Sequence, residues 1–332
     1  YIWNFGIPEI FRKKVWRIII GNDSQVDGYF YNSIVVGENI DFDNLVKEMN
    51  VVEMNKFNFS SLQITSQLKK ERTQSVTFDF EEILQPYVST KISGLILMDT
   101  ILLLDKFSKK ISNEGISKTK FVEDIYIGLR KFFLFRPDLP YSHSYANIYS
   151  ILYFNSESNL ATFSNFINLI FSKKGEILLK FWSKEEHYVN QKLRLFDQWL
   201  KKFFPQISNH FEKLEIHARL YFFHWIENLF IETFELEELF LIWDVFFLRG
   251  EFILFEIALS IVEQQEKELS HSLINEVIER LTKPGKAIAG KVIEKIQNNR
   301  LLISEKYDNL YYEDTLANEK GLLLQTYFTE DN

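Results

Sequence analysis

Cysteine is absent from this sequence of 332 residues, and glycine and proline are scarce, with 12 and 6 copies. Without cysteine the chain can form no disulfide and no zinc–thiolate site, and catalysis by a thiol is excluded. Few glycines and prolines disfavour a β architecture, which needs many tight turns, and agree with a helical protein.

Excess positive charge is also missing, because the formal net charge is −8. We find neither the basic stripe of a nucleic-acid-binding protein nor a polybasic amphipathic helix for anionic lipid. No P-loop, HExxH, EF-hand or G-x-S-x-G motif is present, so no cofactor is predicted. The sequence begins with Tyr1 and has no signal peptide,. We expect part of a longer cytoplasmic protein, peripheral to membranes or within a larger assembly.

Aromatic residues are abundant, with 32 Phe, 15 Tyr and 6 Trp, and they concentrate in residues 216–262. Apolar side chains there recur at three- and four-residue steps, which predicts three successive helices buried among others. Charged residues interrupt the stretch throughout and leave no uncharged run of about 18 residues, so no transmembrane segment is predicted here. We expect the helices at 220–231 and 235–248 to pack as neighbours, with Trp225 and Trp243 in the core.

The same periodicity predicts an all-α fold over most of the chain. Predicted helices cover 5–21, 42–58, 79–111, 118–135, 158–172, 175–204 in two pieces, 208–214, 270–282 and 285–299, with another beginning near Tyr141. Predicted irregular segments are a loop at 22–40, a polar insertion at 59–78, a break at 112–117 and an unassigned acidic tail at 300–332. The lysine-rich residues 106–120 are interpreted as a solvated loop, with partner contact as the alternative.

Two separated motifs resemble one known family. Near the N-terminus, Gly6-Ile7-Pro8 precedes Arg12 and, four residues later, Trp16. Far downstream, the second motif is Trp225-Ile226-(x2)-Leu229-Phe230-(x3)-Phe234-(x)-Leu236-(x5)-Ile242-Trp243-Asp244-Val245-(x)-Phe247. Both are similar to the TBC domain, the all-helical module of the Rab GTPase-activating proteins. The resemblance implies a multi-helix TBC domain over 5–283, followed by a C-terminal helix and acidic tail in 284–332.

The resemblance also implies where chemistry would lie. TBC proteins supply an arginine from Ile-x-x-Asp-x-x-Arg and a glutamine from Asn-Pro-x-x-Gly-Tyr-x-Gln, and an arginine finger contributes about 10³–10⁵ in rate. Residues 136–143, RPDLPYSH, resemble the second motif with His143 in the glutamine position. The first motif fits best with Leu102 in the arginine position, and the alternative frames are Leu102-(x2)-Asp105-(x2)-Ser108 and Val76-(x2)-Asp79-(x2)-Glu82.

Neither finger is available in any of these frames, because residues 73–129 contain no arginine and residues 86–190 contain no glutamine. The sequence therefore predicts a pseudo-GAP, a module that binds or scaffolds a Rab-like small GTPase, or another protein, without accelerating GTP hydrolysis. An activator with non-standard fingers and a structural subunit of a larger assembly are the alternatives. No catalytic residue is assigned, and the candidate partner-binding residues are Asp99, Tyr141, Ser142, His143, Lys109 and Lys110.

The remaining motif residues have an architectural interpretation. Arg12 and Trp16 are four apart and share a helix face, so a buried acid is expected beside them, with Asp99 and Asp244 as candidates. His210, His217 and His224 are seven apart, which on one helix is about 10.5 Å and too far for one ion. We therefore predict no metal site.

Overall fold

The first helix shows how local sequence sets its limits. It runs from Glu9 to Ile20, starts directly after Pro8, and ends at Gly21, whose φ of 78° other residues rarely adopt,. The predicted helix 5–21 is confirmed but starts later. Gly6 lies outside it with φ of 73°, and the amide of the next residue, Ile7, donates to the Asp244 carboxylate of another helix.

The computed structural model describes residues 6–34, 36, 40–43, 84–282 and 284–298. Its sixteen described helices are α1 Glu9–Ile20, α2 Gly28–Ser33, α3 Leu84–Lys106, α4 Ser108–Asn113, α5 Lys118–Phe135, α6 Ser144–Phe154, α7 Asn159–Ile170, α8 Glu176–Trp182, α9 Glu186–Phe203, α10 Pro205–Lys213, α11 Phe222–Glu227, α12 Leu236–Arg249, α13 Phe252–Glu263, α14 Glu266–Leu269, α15 Ile274–Thr282 and α16 Lys286–Gln297. A 3₁₀ turn, Ala218–Leu220, precedes α11. Within these ranges no strand is present, and the fold is all-α as predicted.

The helices form two compact units. The first unit comprises Tyr1–Val26 and Phe154–Asn332, and the second comprises Asp27–Tyr153. The proposed domain of 5–283 draws on both. No helix in the described part of the chain is both long and apolar enough to span a lipid bilayer.

Most predicted helices are confirmed within a few residues, and several segments of the second unit differ from prediction. Residues 28–33, predicted as loop, form α2, because the Asp27 side chain caps its start and the Lys131 ammonium binds the carbonyls of Tyr31 and Ile34 at its end,. The helix predicted at 79–111 is divided at Phe107, whose ring is buried. Predictions for 44–83 and 300–332 lie outside the described residues.

Two corrections apply to neighbouring loops. The lysine-rich residues 106–120 are not one loop, because they contain all of α4 and the start of α5. The helix predicted from Tyr141 begins at Ser144, after an irregular segment that starts at Arg136.

In the first unit, the helix predicted at 220–231 is shorter than expected. α11 ends at Glu227, and Leu229 and Phe230 take φ of 44° and 60°, a region that usually requires glycine,. The Phe230 amide bonds the Trp225 carbonyl at 2.9 Å, which closes the helix end as a Schellman-type turn does,. The Trp243 indole of α12 donates to the Leu229 carbonyl at 3.3 Å, and both side chains are buried. Burial and this bond offset the strain of the turn.

The buried acid expected beside Arg12 and Trp16 is Asp244 on α12. Its carboxylate accepts the Trp16 indole at 2.6 Å, the Ile7 amide at 2.7 Å and the Arg12 guanidinium at 3.2 Å. The Arg12 side chain is 11% exposed and that of Asp244 is 0% exposed, so the predicted buried ion pair is confirmed. A Cβ on Gly6 would lie 2.9 Å from this carboxylate, so close approach requires glycine there,.

The two core tryptophans are also confirmed. Trp225 is 3% exposed and donates to the Leu281 carbonyl at 3.2 Å. Trp243 is fully buried and stacks on Trp16 with ring centroids 5.8 Å apart. These contacts join α1 to α12 and α11 to α15.

Candidate functional site

The helix α3 carries the first candidate positions. Ile96, Thr100 and Leu103 are buried on its inner side, whereas Leu102 is 47% exposed and Met98 is 39% exposed. Met98 and Leu102 are four residues apart and therefore adjacent on the helix surface. The position that resembles the family's arginine thus displays an apolar side chain to solvent.

The segment between α5 and α6 carries the second set of positions. Pro137 follows the end of α5, and the residue before a proline is disfavoured in helical conformation,. The Leu139 amide bonds the Arg136 carbonyl at 3.3 Å, and the Leu139 side chain is buried. The Ser142 hydroxyl lies 3.2 Å from that of Ser144, where α6 starts.

One hydrogen bond joins these two sets. The Tyr141 hydroxyl donates to the Asp99 carboxylate at 2.7 Å, and the Tyr141 ring packs on Phe133 and Tyr145 at centroid distances of 5.4 and 6.2 Å. Burial raises the pKa of Asp99, while the hydrogen bond from Tyr141 and the electrostatic influence of His143 lower it. Burial also raises the pKa of Tyr141 well above its usual value, so the hydroxyl remains a donor.

His143 is exposed at the start of α6, where its carbonyl accepts the amides of Ala146 and Asn147. Its imidazole contributes to the electrostatic environment of Asp99. Asp99 in turn lies about one helical turn before Leu102 on α3. The structure therefore brings Asp99, Tyr141 and His143 together, with Leu102 on the same helix as Asp99.

The two lysines proposed as partner contacts lie on α4. Lys110 forms an ion pair with Glu114 at 2.9 Å, and Lys109 is exposed. Lysine carries a compact point charge and lacks the planar donor fork of arginine. These side chains can contact an acidic surface but do not reproduce an arginine finger.

An arginine in this region was missed by the sequence analysis. The Arg136 guanidinium makes two bonds to the Asp138 carboxylate, at 2.7 and 2.6 Å, and its side chain is 30% exposed. The Asp138 carboxylate raises the pKa of Arg136, and the pKa of Asp138 falls in return. An arginine and an aspartate that flank a proline were a visible signal for this clamp.

The three evenly spaced histidines have separate surroundings. His210 contacts the Ser272 carbonyl at 2.9 Å, and His224 lies 3.7 Å from Glu227. His217 acts electrostatically on Asp197, whose pKa burial raises to about 6. Across the described ranges, no group of three or more His, Asp or Glu side chains is arranged to hold a metal ion.

Comparison with known proteins places these motifs in context. The family model for the Rab-GTPase-TBC domain matches residues 9–270. The chain is 26% identical to Drainin of Dictyostelium discoideum over 317 residues, which are 92% of the chain and 69% of Drainin. It is 28% identical to the GTPase-activating protein GYP5 of Eremothecium gossypii over 52% of the chain, and 22% identical to TBC1 domain family member 14 of Rattus norvegicus over 81%. The matches span only 21% and 34% of those two proteins.

Two solved structures share the fold. The Chlamydomonas flagellar RabGAP TBC domain gives a TM-score of 0.57 at 15% identity, covering 89% of this chain and 81% of that one. The Ypt/Rab-GAP domain of GYP1P gives 0.56 at 13% identity, covering 90% of each chain. The family match over residues 9–270, supported by this common helical fold, shows that the chain belongs to the Rab-GTPase-TBC domain family.

Proposed function

We propose that this TBC domain binds a Rab-like small GTPase, or another protein of a larger assembly, without accelerating GTP hydrolysis. The observation that carries the proposal is the exposed Leu102 on α3, three residues after the Asp99 that bonds Tyr141. Leucine has neither charge nor a hydrogen-bond donor, so it cannot neutralise charge on a phosphoryl group in the transition state.

The Asp99–Tyr141 bond supports the motif register with Leu102 in the arginine position. It links the aspartate of one motif to the tyrosine of the other, as expected if both motifs flank one site. In the alternative register, Asp105 and Ser108 are exposed, and the Ser108 hydroxyl bonds the Asp105 carbonyl at 3.0 Å. The third register, at 76–82, lies outside the described residues.

Losing an arginine finger removes about 4–7 kcal/mol of transition-state stabilisation, from 10³–10⁵ in rate at about 1.4 kcal/mol per decade. His143 replaces the second finger with a side chain shorter and stiffer than glutamine. Binding depends instead on a broad surface, to which we assign Asp99, Tyr141, Ser142, His143, Lys109 and Lys110. A domain that binds without accelerating would prolong the GTP state of its partner. We propose that it acts in this way as a scaffold in vesicle trafficking, in the cytoplasm or at a membrane surface.

The decisive experiment combines binding with single-turnover hydrolysis on a panel of GTP-loaded Rabs. We expect binding to at least one Rab with hydrolysis unchanged, and binding reduced tenfold or more by Leu102→Asp. The matched control is Leu273→Asp, because Leu273 is an apolar residue with 71% exposure in the other unit. Stimulation of any Rab by 100-fold or more, at catalytic amounts of the domain, would overturn the proposal.

Restoration tests the assigned positions directly. Leu102→Arg with His143→Gln should raise hydrolysis on a Rab that binds, and Leu102→Lys with His143→Gln should raise it much less because lysine lacks the planar fork. Equal rates for both double variants would contradict the assignment of Leu102 to the finger position.

The Arg136 clamp favours a second candidate, an activator that uses a non-standard finger. Arg136 is a partly exposed arginine in the segment that carries Tyr141 and His143, and a phosphate could take the place of the Asp138 carboxylate as its bidentate partner. In that case, wild-type protein would stimulate hydrolysis, Arg136→Lys would lose most of the stimulation, and Asp138→Ala would keep it. Under the first proposal none of the three proteins stimulates any Rab.

A further inference from the structure

The helix α1 exposes an apolar face although its other side is deeply buried. Ile10 is 81% exposed, Ile18 is 77% exposed and Phe11 is 56% exposed. Ile10, Lys14 and Ile18 are successive residues four apart and so form one line along the helix, flanked by Phe11 and Arg17. We call these five residues the α1 outer face. Single exposed apolar residues are ordinary, but three on one face of a short helix form a patch that usually has an occupant.

We propose that the C-terminal segment of this chain, residues 300–332, packs on the α1 outer face. The segment contains a cluster of large apolar side chains, namely Leu322, Leu323, Leu324, Tyr327 and Phe328. It also has seven acidic and three basic residues, whereas the outer face carries Lys14 and Arg17. Apolar contact and opposite charge therefore complement each other on the two sides.

The segment also begins close enough to reach this face. α16, which ends at Gln297, packs against α12, and α1 packs against α12 as well, all within the first unit. Helices that pack on a common helix have axes within about 20 Å of each other. The chain between Asn298 and Leu322 can span about 80 Å when extended, so reach is not limiting.

Residues 1–5, with the sequence YIWNF, directly precede the described residues but are too few to cover the whole face. The backbone enters α1 on the α12 side, where the Ile7 amide is bound to Asp244 at 2.7 Å. Five residues span at most about 18 Å. Ile18 lies about 14 Å along the axis from the first residue of α1, and on the side away from α12, so the path around the helix exceeds that length.

The test is photo-cross-linking in the full chain, with a benzophenone amino acid replacing Ile18 and, as a matched control, replacing Leu273. Mass spectrometry then identifies the captured peptide, and a mixture of isotopically light and heavy chains separates intramolecular from intermolecular products. We expect an intramolecular product with residues 300–332 from position 18, at least fivefold above the yield from position 273. Capture of another segment, capture between two copies, or no product would each overturn the proposal.

A second part of the experiment keeps the benzophenone amino acid at position 18 and changes the charge of the α1 outer face. Lys14→Glu combined with Arg17→Glu should lower the yield of the 300–332 product at least threefold at low salt, because the two introduced glutamates would repel the acidic segment. The control is Lys201→Glu on α9, because the side chains of Lys201 and Arg17 are equally exposed, at 65%. Equal yields in the three proteins would overturn the electrostatic part of the proposal.

Discussion

Replacing Arg12 by alanine tests the buried cluster that anchors α1. The guanidinium bonds the Asp244 carboxylate at 3.2 Å and the Ile7 carbonyl at 2.7 Å, and it lies 5.0 Å from the centre of the Phe240 ring. Removing one partner of a buried ion pair costs about 3–5 kcal/mol because the other charge is left uncompensated. Asp244 would keep the Trp16 and Ile7 donors, so we expect a loss near the lower limit, about 3 kcal/mol.

Urea denaturation followed by tryptophan fluorescence measures this loss. Fluorescence is suited to it because the five described tryptophans, Trp16, Trp182, Trp199, Trp225 and Trp243, all lie in the first unit. The matched control is Arg17→Ala on the same helix, since its ion pair with Glu157 at 3.5 Å has partners 65% and 49% exposed. Such a surface pair contributes about 0–1 kcal/mol.

The pH dependence distinguishes a lost ion pair from lost packing. Burial raises the pKa of Asp244, and Arg12 opposes that rise, so Arg12→Ala raises the folded-state pKa further above the unfolded value of about 3.9,. A carboxyl with a raised folded pKa favours folding at low pH and loses that contribution as pH rises through the interval between the two values. The cost of Arg12→Ala should therefore be smaller at pH 4.5 than at pH 7.5. An equal cost at both pH values, or a cost no larger than that of Arg17→Ala, would refute the reasoning.

Three further substitutions test other parts of the structure. Asp197, whose pKa burial raises to about 6, disfavours folding when ionised, so Asp197→Asn should stabilise the protein by about 1–2 kcal/mol at pH 7.5 and change little at pH 4, measured by urea denaturation,. Gly128→Ala would place a Cβ 2.0 Å from the Tyr149 hydroxyl and should cost about 1–3 kcal/mol, whereas Gly94→Ala meets no atom within 4 Å and should stabilise by about 0.5–1 kcal/mol, measured by circular dichroism during denaturation,. Tyr141→Phe loses the 2.7 Å bond to Asp99 and should cost about 1–2 kcal/mol while raising the pKa of Asp99, which NMR titration would detect,.

Helix periodicity predicted most of the fold because apolar spacing reports directly on which helix face is buried. α5, predicted as 118–135, and α7, α8 and α9 follow this rule. Each failure has a specific physical cause. The end of α2 is stabilised by the Lys131 ammonium, which donates to the Tyr31 carbonyl from 100 positions further along the chain. A local sequence pattern cannot reveal such a contact. The turn at Leu229 and Phe230 has positive φ without glycine, and only its burial and the Trp243 bond make it tolerable.

The candidate site was predictable only as far as the motifs carry it. Asp99, Tyr141 and His143 were expected from the resemblance to the family motifs, and the structure brings them together. The clamp between Arg136 and Asp138 was missed because the aligned motif has asparagine at that position, which drew attention away from its charge. The exposure of Leu102 on α3 could not be predicted, because it lies in an apolar run. The residues on both sides of it are also apolar, so the sequence does not show which face of the helix is buried.

The motif residues fall into two groups, those that bind one another in the interior and those that are exposed. Arg12, Trp16 and Asp244 bind one another inside the first unit, and Asp99 binds Tyr141 inside the second. Retaining such residues preserves architecture and carries no information about catalysis. The positions that we propose would face the phosphate, Leu102 and His143, are exposed instead. Family membership therefore shows the fold, whereas the absence of acceleration of GTP hydrolysis remains our proposal, which the hydrolysis assay on a panel of Rabs tests.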